Sequence, residues 1–244
     1  MNKYYYDFHI HSCLSPCADD DNTPNNIAGM GHLSGLNIMA LTDHNTCKNC
    51  PAFFEAAKRY GIIPIAGMEL TTAEDIHIVC LFENLSDAQE FEKEIDKHRI
   101  IVKNRVEVYG EQMVMDGEDN VVSVEENLLS VATKITVEQC PDLVEKYNGI
   151  CYPAHIDRMA NGIIATLGTF PEINGFNCVE FHDKNKISEY KQNYNIESKI
   201  IILGSDAHTL GDIKDKENYF EIDDEPYSSK TVRHRLFDIL RGGL

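Results

Sequence analysis

Imidazole and carboxylate side chains recur along this sequence in short groups that could hold divalent metal ions. His9 and His11 stand in DFHIHS, His44 in LTDHN, Glu69 in GMEL and His77 in DIHIV; His155 stands in PAHID, and Asp206 and His208 in GSDAH. Neutral imidazole and carboxylate together suit Zn, Mn or Fe. In the His-x-His and Asp-x-His pairs, alternate residues of an extended chain point the same way, so both side chains can reach one ion. A lone histidine is more often a packed structural residue than a ligand, and Asp-His at a loop start is also an ordinary turn or cap. The whole set, recurring at one segment end after another, is the signal.

The elements that must position these residues are legible as alternating apolar and helical runs. Strands are expected at Tyr4–His9, Asn37–Thr42, Ile62–Gly67, Ile76–Phe82, Ile150–Ala154, Asn177–Phe181 and Ile200–Gly204, each short and rich in β-branched or aromatic residues. Thr23–Pro24 reads as an N-cap followed by proline at the first helical position, with Gly35 closing that helix. Pro51 opens a second helix that Gly61 stops, and Ser86 caps a third. Further helices are expected at Val137–Asn148, Lys186–Tyr194 and Ser229–Leu240. Such β-α repetition implies an α/β fold with a parallel sheet, open or closed into a barrel, whose sites form at the carboxyl ends of the strands. Residues 99–136 break the rhythm: EQMVMDGEDNVVSV predicts a hairpin turning at Asp116–Asn120, followed by a short helix. No linker or repeat divides the chain, so a single domain over residues 1–244 is expected.

Taken in order, DFHIHS, LTDHN, GMEL, PAHID and GSDAH resemble the motifs of the PHP (polymerase and histidinol phosphatase) family, over Tyr6 to about Asp212. The resemblance implies a distorted seven-stranded (β/α) barrel with up to three divalent ions at its carboxyl rim. It implies one ion at His9, His11, Glu69 and Asp206, a second shared by Glu69 with His77 and His155, and a third at His44, His208 and a residue of the loop after His11. The family pattern puts an Asp five residues after the second histidine; here the loop reads CLSPCADDDNTP and is longer. Counting back from Thr23–Pro24 selects Asp19, with Asp20 and Asp21 as alternatives. The implied activity is phosphoester hydrolysis, because closely spaced divalent ions activate water and clamp a phosphoryl group. The expected substrate is a small phosphorylated metabolite or nucleotide.

Around that set, Asp43 is read as a carboxylate orienting an imidazole, or equally as a loop cap. Arg158, three residues past His155, is read as a guanidinium that grips phosphate, or equally as an exposed arginine in a surface pair. His182 and Lys184 follow the sixth expected strand and are substrate-side candidates; an ordinary surface role is the stronger reading. His32, His98 and His234 carry no assigned function. Cys13, Cys17, Cys47 and Cys50 could be brought together as a four-thiolate zinc site, although free thiols are the leading reading. Two readings from other classes are a metal-loaded regulatory module without turnover and a dithiol redox or metal-sensing protein.

Composition bounds the rest. Apolar residues make up 43% of the chain, enough for a substantial core, and 22 Lys and Arg against 40 Asp and Glu leave a net charge of −18. That field repels polyphosphate at long range and disfavours nucleic acid as a partner. No run approaches the ~20 apolar residues of a membrane span. The N-terminal segment lacks the apolar stretch of a secretory signal, so a cytoplasmic protein is expected. The oligomeric state is not legible.

Overall fold

The computed structural model describes residues 1–243. In chain order the strands are β1 (Asn2–Asp7), β2 (Ile38–Leu41), β3 (Ile63–Thr71), β4 (His77–Phe82), β5 (Met113–Met115), β6 (Val121–Val124), β7 (Gly149–Pro153), β8 (Cys178–Phe181), β9 (Ile200–Leu203) and β10 (Tyr219–Ile222). The helices are α1 (Pro24–Leu33), α2 (Cys50–Tyr60), α3 (Leu85–His98), α4 (Val106–Tyr109), α5 (Cys140–Glu145), α6 (Ile163–Leu167), α7 (Ile187–Asn193) and α8 (Ser229–Leu240). Local chemistry explains their ends. The Thr23 side chain accepts from Asn26 N at the start of α1, and Gly61 closes α2 in the left-handed conformation at φ 72°.

All seven expected strand segments are strands, but strand pairing does not close them into one seven-stranded barrel. A six-stranded sheet runs β10-β1-β2-β3-β4-β7, and β8 pairs only with β9. The reason lies at β1. Its outer edge is taken along Asn2–Tyr5 by the antiparallel strand β10, which the sequence reading did not anticipate. Backbone hydrogen bonds to the segment after β9 form only beyond β1, from His11 N to Ala207 O at 2.9 Å and from Ala207 N to His9 O at 3.2 Å. The walls therefore meet at the rim that carries the histidines and are occupied by β10 below it.

The sheet is also not all parallel. β4 runs antiparallel to both β3 and β7. This reversal moves His77, the first residue of β4, to the rim where β3 ends, opposite Thr71. Side-chain alternation then sorts two apolar layers. Tyr4, Tyr6, Ile38, Ala40, Ile63, Ile65, Val79, Leu81 and Tyr152 face one cluster, completed by Val232, Leu236 and Phe237 of α8. Met39, Leu41, Met68, Ile78, Cys80 and Phe82 face the other, against Ile27, Phe53 and Phe91 of the helices.

The insertion contains the expected hairpin, β5-β6, but its short helix, α4, precedes the hairpin instead of following it. The hairpin docks on the loops after β1 and β2: Met113 N donates to Cys13 O at 3.1 Å, and Met115 N to Asn49 Oδ1 at 2.8 Å. At its tip Asp119 accepts from Thr23 Oγ1 and from Asn25 N, which fixes it to the start of α1. No helix among the described residues is long and apolar enough to cross a membrane.

Candidate metal centre

Eight of the side chains singled out by sequence converge at the rim, and Glu69 stands at their centre. At the end of the fully buried β3, Glu69 lies with Oε1 2.8 Å from His77 Nδ1, 3.1 Å from His9 Nε2 and 3.3 Å from His155 Nε2. Its Oε2 lies 3.1 Å from His44 Nδ1 and 3.3 Å from His11 Nε2. Asp206 Oδ1 approaches His11 Nε2 at 3.2 Å and His9 Nε2 at 3.3 Å. The two facing nitrogens of His9 and His11 are 3.2 Å apart. Two of these residues occupy backbone conformations unusual for side-chain-bearing residues, His155 at φ 25° and Asp206 at φ 51°. Such strain persists where the surroundings over-determine it, commonly at functional sites.

Three groups have the spacing of metal ligands: His9, His11, Glu69 and Asp206; His44, Glu69 and His77; and His11, Cys17, His44 and His208. The residues fit divalent ions on further grounds. His44 Nδ1 and Glu69 Oε2 lie 3.1 Å apart and His77 Nδ1 lies 2.8 Å from Glu69 Oε1, yet at angles that form no hydrogen bond, and buried His155 Nδ1 also has no partner; such a state is costly unless something else satisfies these atoms. The carboxylates also demand positive charge. Burial alone would lower His9 and His11, yet Glu180, Glu69 and Asp206 raise His9 well above the usual range, and Asp206 and Glu69 raise His11 to about 9. His44 moves the other way: burial outweighs Glu69, and its imidazole neighbours add to the depression. Burial likewise takes His208 down to about 4, helped by His11.

Imidazole tautomers are set by a surrounding layer of acceptors. Asp43 does not touch an imidazole. It accepts from Ser12 N, Ser12 Oγ and Ser15 Oγ, each at 2.7 Å, and Ser15 Oγ in turn meets His11 Nδ1 at 3.0 Å. Because the Ser15 hydroxyl proton goes to Asp43, its oxygen accepts the His11 Nδ1–H, and Nε2 presents its lone pair to the cluster. His208 Nδ1–H donates to Asp206 O at 2.8 Å, with the same result. For His9 the acceptor is Glu180, whose Oε1 lies 2.8 Å from Nδ1 and also accepts from His155 N at 3.1 Å. Glu180 was missed by the sequence reading; an acid inside the apolar strand CVEF was the available signal. Gly204 makes room for it, since a Cβ there would fall 2.6 Å from Glu180 Oε2.

Asp19 is not brought to the cluster. Its exposed carboxylate accepts from Asp21 N at 3.2 Å and so caps its own loop, and Asp20 and Asp21 are exposed as well. The loop instead brings Cys17, itself exposed, within reach of His11, His44 and His208. Nor do four thiols gather. Cys13, Cys47 and Cys50 are buried, with Cys47 Sγ 3.2 Å from Ala88 O and Cys50 Sγ 3.6 Å from Gly67 O. Arg158 reaches the rim through a tight turn in which its N–H donates to His155 O at 2.8 Å and a Cβ on Gly162 would collide with Arg158 O at 2.4 Å. Its guanidinium donates to Asp206 Oδ2 and, at 3.1 Å, to His182 Nδ1. Beyond His182 lies a recess of about 360 Å³ lined by Asp183, Lys184, Leu203, Lys214 and Glu217 among others, in which Lys184 pairs with Glu217.

Comparison with known proteins follows the same outline. The sequence profile described as PHP domain matches residues 7–159. A 5'-3' exoribonuclease of Haemophilus influenzae is 37% identical over 79 residues, which span 31% of this chain and 28% of that protein. A lesion-specific endonuclease from Pyrococcus furiosus has the same fold at TM-score 0.70 and 17% identity, over 99% of this chain and 56% of that one. So has endonuclease Q in complex with a 27-mer duplex containing an abasic lesion, at TM-score 0.70, 17% identity and 99% and 57% coverage. A candidate metal-dependent phosphoesterase from Bifidobacterium adolescentis matches at TM-score 0.61 and 16% identity, over 99% of this chain and 97% of that one. These findings overturn the expectation that acidity disfavours nucleic acid as a partner. Net charge is a property of the whole surface, whereas bound cations reverse the sign locally at a site.

Proposed function

Because the chain belongs to the PHP domain family and is a metal-dependent hydrolase, we propose that it cleaves phosphoester bonds of nucleotides or nucleic-acid ends at a cluster of up to three ions. The single observation that carries this reading is the convergence of His9, His11, His44, His77 and His155 on one buried carboxylate, Glu69. In the proposed assignment, His9, His11, Glu69 and Asp206 hold one ion, Glu69, His77 and His155 a second, and His44 and His208 contribute to a third. When bound, such ions supply a nucleophile from water at neutral pH and charge stabilisation for the phosphoryl group.

The chain's own side chains do the rest. Glu180, Ser15 and the Asp206 carbonyl each hold one imidazole Nδ1–H, so that His9, His11 and His208 present Nε2 inward. Asp43 acts through Ser15 as a positioning residue. Arg158, with 37% of its side chain exposed, has a planar fork suited to phosphoryl oxygens. The endonuclease and exoribonuclease similarities support a nucleotide or nucleic-acid phosphoester over a small unrelated metabolite.

The test is a hydrolysis screen of the protein reconstituted with Mn, Zn or Fe. Substrates are 5'-phosphorylated oligonucleotides, mononucleotides and a simple aryl phosphate, with His9→Ala and Asp206→Asn as controls. Metal-dependent turnover that both controls lack is the expected result. No turnover on any substrate at full metal occupancy, measured by elemental analysis, removes the proposal.

A further inference from the structure

The third group contains a thiol where the family resemblance leads one to expect a carboxylate. Cys17 Sγ and one ring nitrogen each of His11, His44 and His208 lie within 4.8 Å of one another. Cys17 is exposed, whereas the other seven cysteines are buried.

Its loop is fastened to the cluster on both sides. Ala18 N donates to Ser15 O at 3.0 Å, Asp19 N donates to His208 O at 2.8 Å, and Ser15 Oγ accepts from His44 N at 3.2 Å. The imidazoles stand ready independently of the thiol. His44 is 5% exposed; its Nδ1 lies 3.1 Å from Glu69 Oε2 without forming a hydrogen bond, and one of its ring nitrogens is within reach of Cys17. His208 keeps only Nε2 as a lone pair, because Nδ1 is committed to Asp206 O. The His11 ring packs between those of His208 and His44, at 4.3 and 4.6 Å between centroids.

Apportioning ligands one nitrogen to one ion separates the groups. His11 Nδ1 is engaged by Ser15, so His11 has only Nε2 to offer, and that atom faces Glu69 and Asp206. Glu69 Oε1 has His77 and His155 beside it. His44, whose Nδ1 stands 3.1 Å from Glu69 Oε2, belongs both to the group with Glu69 and His77 and to this one; assigned here, it joins Cys17 and His208 as one thiol and two imidazoles. Three protein ligands with a fourth side open to water or substrate is the form of a catalytic zinc site. A thiolate also discriminates: it favours zinc, whereas carboxylate and water suit manganese and magnesium.

We propose that Cys17, His44 and His208 form a thiolate–imidazole site that selects zinc over manganese and magnesium and leaves one coordination position open to substrate. This deepens the reading above and rests on it for the presence of a metal cluster, but its test needs no turnover. The metal-free protein is titrated with Co²⁺ and followed by near-ultraviolet absorption, where a sulfur ligand gives an intense charge-transfer band. The band is expected in the wild type and in Cys13→Ser, and absent from Cys17→Ser. It is expected to fade as Zn²⁺ is added, but not on adding Mn²⁺. Elemental analysis should show Cys17→Ser retaining about one zinc fewer per chain, and Cys17→Asp recovering an ion as manganese. Unchanged melting temperatures of the metal-free variants separate ligand loss from misfolding. A cobalt-loaded protein without the band, or a band that persists in Cys17→Ser, overturns the site, as does loss of an ion in Asp19→Ala with Cys17 intact. A band with no hydrolysis of any phosphoester would remove the proposed function and leave this site standing. Hydrolysis without a band would do the reverse.

Discussion

Glu180→Gln isolates what a buried carboxylate does for the imidazole beside it, a candidate metal ligand. Glu180 is 1% exposed, and its Oε1 alone receives both His9 Nδ1–H and His155 N–H. A glutamine carbonyl oxygen can accept the same two bonds, so the substitution removes the charge while keeping them, and puts an amide in place of the buried Oε2, which has no partner. Among the groups that raise His9, Glu180 acts most strongly. The carboxylate therefore makes the His9 Nε2 lone pair a better donor to a cation. Loss of such an outer partner weakens metal binding by about 10–100-fold, or about 1.4–2.7 kcal/mol. Glu180→Ala is expected to do more, because it also strands two buried donors at about 1–3 kcal/mol each in folding stability. The assay is equilibrium dialysis of Mn²⁺ or Zn²⁺ against each metal-free variant, with urea unfolding in parallel. Both variants should lose affinity, and the glutamine variant, which keeps the two bonds, should lose less stability than the alanine variant. Wild-type affinity in Glu180→Gln would refute the argument, because geometry without charge would then suffice.

Three further outcomes are expected. Chelation should destabilise the protein, because ions bound only to the folded cluster contribute about 2.7 kcal/mol at a hundredfold excess over Kd. For a chain of this size that corresponds to a fall of about 5–10 °C in Tm by calorimetry, and an unchanged Tm would argue that no ion is held. Tyr152→Phe should be neutral or stabilising by about 1 kcal/mol in urea unfolding, because the Tyr152 hydroxyl is buried without a partner; a large loss would reveal a partner. Asn45→Ala should cost about 3–5 kcal/mol, because it removes bonds to Leu129 O, Val131 O and Thr71 N from a buried residue at φ 52°. A cost below about 1 kcal/mol in urea unfolding would show that Asn45 does not fasten the insertion to the rim.

The site was legible in the sequence to the extent that it depends on strand ends. Apolar runs locate strands locally, and ligands that follow those runs are carried to one rim by the general behaviour of α/β sheets. His9, His11, His44, Glu69, His155, Asp206 and His208 were found that way. His77 was found as well, although its arrival at the rim depends on the reversal of β4, which no local pattern encodes. Glu180 escaped because its meaning lies in contact with a residue 171 positions away. Which residue of the loop after His11 comes near His44 and His208 depends on the path of that loop: Asp19, Asp20 and Asp21 lie exposed and Cys17 comes within reach, a difference that counting residues from either anchor does not decide. Closure of the barrel was undecidable for the same kind of reason: β10, far along the chain, takes the edge of β1 that a seventh neighbour would have used. Residue type and strand position determined which chemistry was available. Long-range pairing decided which candidate ligands come within reach of one another and which groups hold their neighbours in place, because those distances arise only when separate elements are packed together.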